Sequence, residues 1–278
     1  MRLNGRALPG SLDLFADRGR LVAVNAVELE QYVAAVVASE VPAAWPVESL
    51  KAQAVAARTF AVAQKIAQGP AARAHLGASV RDQVYRNAAS PPAAALAAAK
   101  ATAGEVLTWG SAPIAAYFSA SCGGVSESAE AAFHLSTGTT PYIRGGDRDD
   151  DAQAWTAHVP LAEVSEAWRR AGRRGEVREV AIAARTASGR ARVLRLQTTA
   201  GPQQMLAVEL RQRLGYTRLR SLLFEVETNG GEAVFRGKGS GHGVGLCQQG
   251  ARARAEKGQL YREILSHYYP GAEIRRMY

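Results

Sequence analysis

The run ASEVPAAWPVESLKAQAVAARTFA, residues 38–61, places one carboxylate where a charge is costly. Glu40 ends an alanine- and valine-rich stretch and is followed at once by Val41-Pro42. A residue before proline avoids the helical region, so a helix must stop there with Glu40 at its C-terminal end. The helix dipole disfavours an anion at that end. Apolar Val41, Pro42 and Trp45 add desolvation. Both effects favour the protonated carboxyl, which suits a general acid. The competing expectation is an exposed helix-terminal glutamate with no chemical role.

A second constellation lies near the C-terminus. Glycine recurs at every second position from Gly237 to Gly245, with His242 between Gly241 and Gly243. Alternating glycine bars regular packing and lets the backbone approach something closely. Cys122 and His242 could form a nucleophile and base. Cys122 reads as lying on the apolar face of its strand, however, which argues for an inert buried thiol. Cys122 and Cys247 could also pair as a disulfide. His75, His134, His158 and His267 show no ligand spacing, and no metal is expected. Asp147, Asp149, Asp150 and Asp151 form an acidic loop that could bind a cation, but without EF-hand spacing it reads as a solvated turn. The sequence contains no GxGxxG, GxxxxGK[ST], HExxH or GxSxG, so nucleotide binding and zinc proteolysis lose their main support.

The elements that must position these residues follow from local signals. Residues 3–24 read as short strands. Asn25 and Glu28 fit a capping box that opens a helix from about Val27 to Ala38. Pro46 opens a second helix, which Gly69-Pro70 closes. Leu50, Ala54, Ala57 and Ala61 share one face of it, while Gln53 and Arg58 on other faces could look into a cleft. Ser90-Pro91 is expected to cap a third helix ending at Gly104. Strands are expected over Glu105–Trp109 and Ile114–Cys122. Tyr117, Ser119 and Ser121 share one face of the second, and apolar side chains share the other. Residues 147–229 read as a separate region, with hairpin signals at Ser188-Gly189 and Asn229-Gly230. A short helix from Val208 to Leu214 should end at Gly215. Helices from about Leu246 to Lys257 and Leu260 to Tyr268 close the chain.

At 278 residues, with 47% hydrophobic and 21% charged residues, the chain can bury a real core. Lys plus Arg number 34 against 25 Asp plus Glu, a formal net charge of +9, which favours anionic partners. A nucleic-acid binder would fit the charge, but no recognition motif or aromatic interleaving supports it. No apolar run is long enough to span a bilayer, and no signal peptide is visible.

The run SEVPAAWPVESLKAQAVAARTFA resembles the signature of the SpoIID/LytB family of cell-wall proteins. DQVYR (82–86), YFSASCGGVSESAE (117–130), PYIR (141–144), GKGSGHGVGLCQQGA (237–251) and EILSHYYPGAEI are similar to later blocks of that family, in the same order. Residues 147–229 match only loosely. The sporulation-type members are lytic transglycosylases that cut peptidoglycan glycan strands. The resemblance implies that Glu40 is the catalytic acid/base. It implies that Gln53, Arg58, Gln83, Tyr85, Tyr117, Ser119, Ser240, His242 and Gln248 bind substrate. Peptidoglycan is then the partner, nucleic acid is not, and the expected location is extracytoplasmic, with the export signal absent from this chain. LytB-type relatives imply the alternative, a non-catalytic modifier of a cell-wall amidase.

Two departures bear on this. Some members carry a cysteine/histidine metal site just before the Gln-Val-Tyr motif. Here that segment reads AHLGASVRDQVYR, with only His75 as a ligand, so no zinc and no cofactor are expected. Cys122 and Cys247 stand where serine or another small residue is expected in relatives, and a disulfide between them is a hypothesis. The expected fold is α+β, with helices and antiparallel strands around one cleft. Residues 1–278 are expected to form a single SpoIID-like domain. Within it, 1–146 form a core, 147–235 a variable middle lobe, and 236–278 a glycine-rich loop and helices completing the cleft.

Overall fold

The computed structural model describes residues 2–3, 5–77, 83–85, 90–149 and 153–278. The fold is mixed α+β, and the chain divides into two compact units. One comprises Met1–Phe118 with Ala251–Tyr278, and the other Ser119–Gly250.

In the first unit, strands Ser11–Asp17 and Arg20–Ala26 form an antiparallel hairpin. Its two turn residues, Arg18 and Gly19, both have positive φ, the geometry that matches the strand twist. Helices Leu29–Glu40, Val47–Gln68 and Ala93–Ala101 follow. They pack through small side chains, with Val33, Ala34, Val37, Leu50, Ala54, Ala95 and Ala98 buried together. The alanine bias is thus what lets three helices approach closely. Strand Glu105–Trp109 pairs with Glu273–Arg276 on one side and Ala112–Pro113 on the other. Leu107 N–H donates to Thr59 Oγ1, tying this strand to the second helix at 2.9 Å.

Two cap expectations are corrected. Asn25 does not cap the first helix, whose N-cap is Glu28 without a side-chain cap bond. Asn25 remains in the hairpin, paired with Leu12, and its amide donates to the carbonyls of Pro9 and Ser11. The first helix therefore starts at Leu29 and ends at Glu40. The third helix begins at Ala93 after Pro92, so Ser90-Pro91 is not its cap. Its Pro92 lies in the extended region that proline's fixed φ favours.

In the second unit, strand Ala191–Thr198 pairs antiparallel with Gly201–Leu206 and Val177–Arg185. Strand Glu232–Lys238 pairs antiparallel with Phe224–Asn229 and Ala154–Pro160. Helices Leu161–Arg170 and Ala207–Leu214 cover a core that contains Trp168, Leu194, Leu196, Leu210 and Phe235. The expected hairpin at Asn229-Gly230 is present, with Gly230 and Gly231 as its positive-φ turn. The expected helix before Gly215 is present too.

The run Ile114–Cys122 is not one long strand. Only Phe118–Ser119 is strand, with a bridge from Ser121 to Ser240. The glycine alternation serves the protein itself. A Cβ on Gly239 would lie 2.7 Å from Gly123 N and 2.8 Å from Ser121 O, with φ at +78°. Gly239→Ala is expected to destabilise the fold by about 2 kcal/mol or more, because rigid backbone and not a flexible side chain stands in the way. A urea midpoint unchanged from the native protein would contradict this.

Candidate functional site

The first unit holds Glu40, Gln53, Arg58, Gln83, Tyr85 and Tyr117. Glu40 is the last residue of its helix, as the proline rule requires, and is partly exposed. Its Oε1 accepts the backbone N–H of Val84 at 2.8 Å. The segment Gln83–Tyr85 is strapped to the helices on both sides of that bond. Gln83 is buried, accepting from Tyr32 Oη at 2.8 Å and donating to Ala57 O at 3.0 Å. Tyr85 stacks on Tyr32 with ring centroids 5.1 Å apart and donates its hydroxyl to Asn25 Oδ1 at 2.9 Å. Burial pushes the Tyr85 phenol up to about 12, so it remains a protonated donor at neutral pH. Asp82 and Arg86, the ends of the DQVYR motif, lie outside the described residues.

Other acidic residues of the two flanking helices are engaged with cations. Glu30 pairs with Arg58, and Glu48 pairs with Lys51 at 2.6 Å. Glu40 accepts a backbone amide. The Val84 contact and the roles of Tyr32 and Asn25 are not visible in sequence, because they arise from residues 44 to 60 positions apart. Tyr85→Phe keeps the ring on Tyr32 but removes the bond to Asn25. It is expected to cost about 1 kcal/mol in chemical unfolding, and a neutral result would assign the anchoring to the ring alone.

Arg58 does not look into a cleft. It is fully buried, and its guanidinium grips Glu30 through Nε and Nη2 at 2.8 and 2.6 Å. It also donates to the carbonyls of Ala99 and Glu105. This arginine therefore locks the second helix to the third and to the following strand. Gln53 is likewise buried. The helix has no solvent face there because it is enclosed nearly all round from Ser49 to Ala61. Tyr117 is partly exposed, packs against Phe60, and has its carbonyl bonded by Tyr269 Oη at 2.6 Å.

The second unit holds Ser119, Ser240, His242 and Gln248. The strand-face expectation holds only in part: Ala116 and Cys122 are buried as expected, but so are Ser119 and Ser121, and Ala120 is exposed. The hydroxyls are buried because they hold backbone. Ser119 Oγ accepts Gly243 N–H at 3.2 Å, and Ser121 Oγ accepts Gly123 N–H at 3.3 Å. His242 is partly exposed, accepts Val244 N–H on Nδ1 at 3.0 Å, and meets Phe133 edge-on. Gln248 is buried and Ser240 partly exposed. Cys122 and Cys247 are both buried thiols, and no disulfide joins them. Cys247 Sγ accepts the N–H groups of Cys122 at 3.2 Å and Gly250 at 3.4 Å. The contact with the Cys122 thiol and burial together push the Cys247 thiol up.

The relatives of this chain sharpen the site. The family profile described as Stage II sporulation protein matches residues 17–109, which lie in the first unit and include Glu40 and Gln83–Tyr85. The Stage II sporulation protein D of Bacillus amyloliquefaciens is 34% identical over 90% of this chain and 75% of its own length. The chain belongs to the SpoIID/LytB family. The protein of the same description from Bacillus subtilis is 30% identical over 97% of this chain and 80% of its own length. An amidase enhancer of Bacillus subtilis is 29% identical over 86% of this chain, which spans 39% of that protein. A second profile, described as a domain of unknown function (DUF8618), matches residues 144–245, inside the second unit. Among the described residues, no helix is long and apolar enough to cross a membrane.

Proposed function

We propose that this protein acts on the cell wall as a peptidoglycan lytic transglycosylase, outside the cytoplasm, with Glu40 as the single acid/base. The observation that carries this is the fixed carboxyl of Glu40, held by Val84 N–H at the end of its helix. A glycosidase that uses water normally needs two carboxylates flanking the bond. A transglycosylase needs one. The Glu40 carboxyl gives its proton to the glycosidic oxygen as the bond to the anomeric carbon breaks. The 6-hydroxyl of the same sugar then attacks that carbon and returns its proton to the carboxylate. The glycan leaves with a 1,6-anhydro ring, and the enzyme is regenerated without water entering the product.

In this account Gln83 and Tyr85 are positioning residues, which hold Val84 against Glu40. Arg58 keeps the helix that carries it rigid. Tyr117, also in the first unit, is partly exposed and is proposed as a sugar contact. The net charge of +9 suits an anionic wall polymer. Similarity to the amidase enhancer over 86% of the chain supports a second reading, glycan binding that stimulates a wall amidase. Incubation with peptide-stripped peptidoglycan separates the two. Anhydro-ended fragments support the transglycosylase. Retention on the glycan without any cleavage, together with faster release of peptides by an added amidase, supports the modifier.

A further inference from the structure

The two cysteines do not stand alone in the second unit. Cys122 Sγ, Cys247 Sγ and an Asp149 carboxylate oxygen all lie within 4.8 Å of one another. The Cys122 thiol contacts Asp149 Oδ2 at 3.6 Å. A tetrahedral ion with metal–sulfur bonds near 2.3 Å and metal–oxygen bonds near 2.0–2.2 Å sets ligand-to-ligand edges of about 3.5–3.8 Å. The observed Sγ–Oδ2 separation is of that size. We propose that Cys122, Cys247 and Asp149 bind a thiophilic divalent cation of the zinc class, with water in the fourth position.

The surroundings suit a metal thiolate. Cys247 Sγ already receives two backbone N–H groups, the outer-shell support that orients a ligating sulfur. Buried Arg190 donates to Cys122 O at 2.7 Å and to Val125 O at 3.0 Å, which fixes the loop that carries the first ligand. Its positive charge also interacts with both cysteines and with Glu127. Two thiolates and a carboxylate carry three negative charges against two on the ion, so a cation nearby offsets the excess. A disulfide would use the same sulfurs but would remove the thiol proton that meets Asp149. Binding joins three separate stretches, around residues 122, 149 and 247, and so braces the glycine-rich loop that precedes Cys247. It releases the two thiol protons, which makes affinity rise with pH.

The test uses the full chain, reduced, stripped with a chelator and titrated separately with zinc and with cobalt. One metal per chain is expected, with thiolate-to-cobalt charge-transfer absorption in the near ultraviolet. Zinc should protect both thiols from a thiol reagent. Losing an outer-shell partner alone weakens metal sites by about 10–100-fold, so Asp149→Asn, which removes a ligand at a partly exposed position, should weaken binding by at least about 10-fold. Cys247→Ser should abolish the charge-transfer band. The proposal is overturned if cobalt gives no such band, or if native protein and the three single variants, Cys122→Ser included, bind metal equally. It is also overturned if oxidised glutathione converts the zinc-treated thiols to an intramolecular disulfide, two protein thiols and one small disulfide giving one protein disulfide and two small thiols.

Discussion

Glu40→Gln is expected to lower glycan cleavage by about a hundred- to ten-thousand-fold, the range that a positioned general acid contributes. Glutamine preserves the shape of the side chain and an oxygen that can accept Val84 N–H. It cannot give up a proton to the leaving oxygen or take one back from the 6-hydroxyl. Binding to the glycan should remain, because the loss falls on the transition state and not on the bound substrate. Release rates from peptide-stripped glycan, measured beside a sedimentation assay for binding, separate these. Equal rates for both proteins would remove Glu40 from the chemistry. Loss of binding and cleavage together, with an unfolding midpoint below the native one, would mean that the substitution damaged the fold instead.

Arg58→Met is expected to be the most destabilising single change in the first unit. Removing one partner from a buried ion pair costs about 3–5 kcal/mol, because the other is left without compensation. Glu30 keeps some solvent, so the low end applies, and it still receives Gly104 N–H at 3.2 Å and Tyr278 Oη. Against a total stability of about 5–15 kcal/mol, this is a large share. The pair also sets an acid limit. Burial raises the Glu30 carboxyl, but bonds from Arg58 and Tyr278, the Arg58 charge and the Gly104 amide outweigh it and hold it below its usual value. A carboxylate depressed in the folded state stabilises the protein above its unfolded pKa, near 4.3. That contribution is lost as pH falls through the folded value. Native protein should therefore lose stability on acidification below about pH 4, and Arg58→Met should show a flatter dependence in that window. Parallel slopes in urea unfolding across that range would contradict the assignment.

What the sequence made legible was local. Pro42 fixes the end of the first helix, so the sequence alone places Glu40 at a helix terminus. Pro46 and Gly69 likewise bound the second helix, and Gly215 ends the short helix before it. The cap at Asn25 failed because a cross-strand partner, Leu12, held that residue in the hairpin. Arg58 was misread for a related reason. Periodicity assigns a face to each residue of a helix, but it cannot show that every face is covered. Ser119 is expected to bind sugars, whereas its hydroxyl accepts the backbone N–H of Gly243. The strand Ala154–Pro160 went unseen because small Ala157 inside and apolar Ala154 outside weaken its alternation, although Trp155, Ala157 and Val159 all point inward. Asp149 beside the two cysteines was hidden by distance along the chain, since ligand spacing is legible only within short motifs.

The most direct measurement is to run the reaction on peptide-stripped peptidoglycan in water enriched in heavy oxygen and to read the new glycan ends by mass spectrometry. Attack by the sugar's own 6-hydroxyl predicts 1,6-anhydro ends without label, and none above background from Glu40→Gln. Reducing ends that carry the heavy oxygen would mean that water is the nucleophile. They would contradict the account and require a second carboxylate.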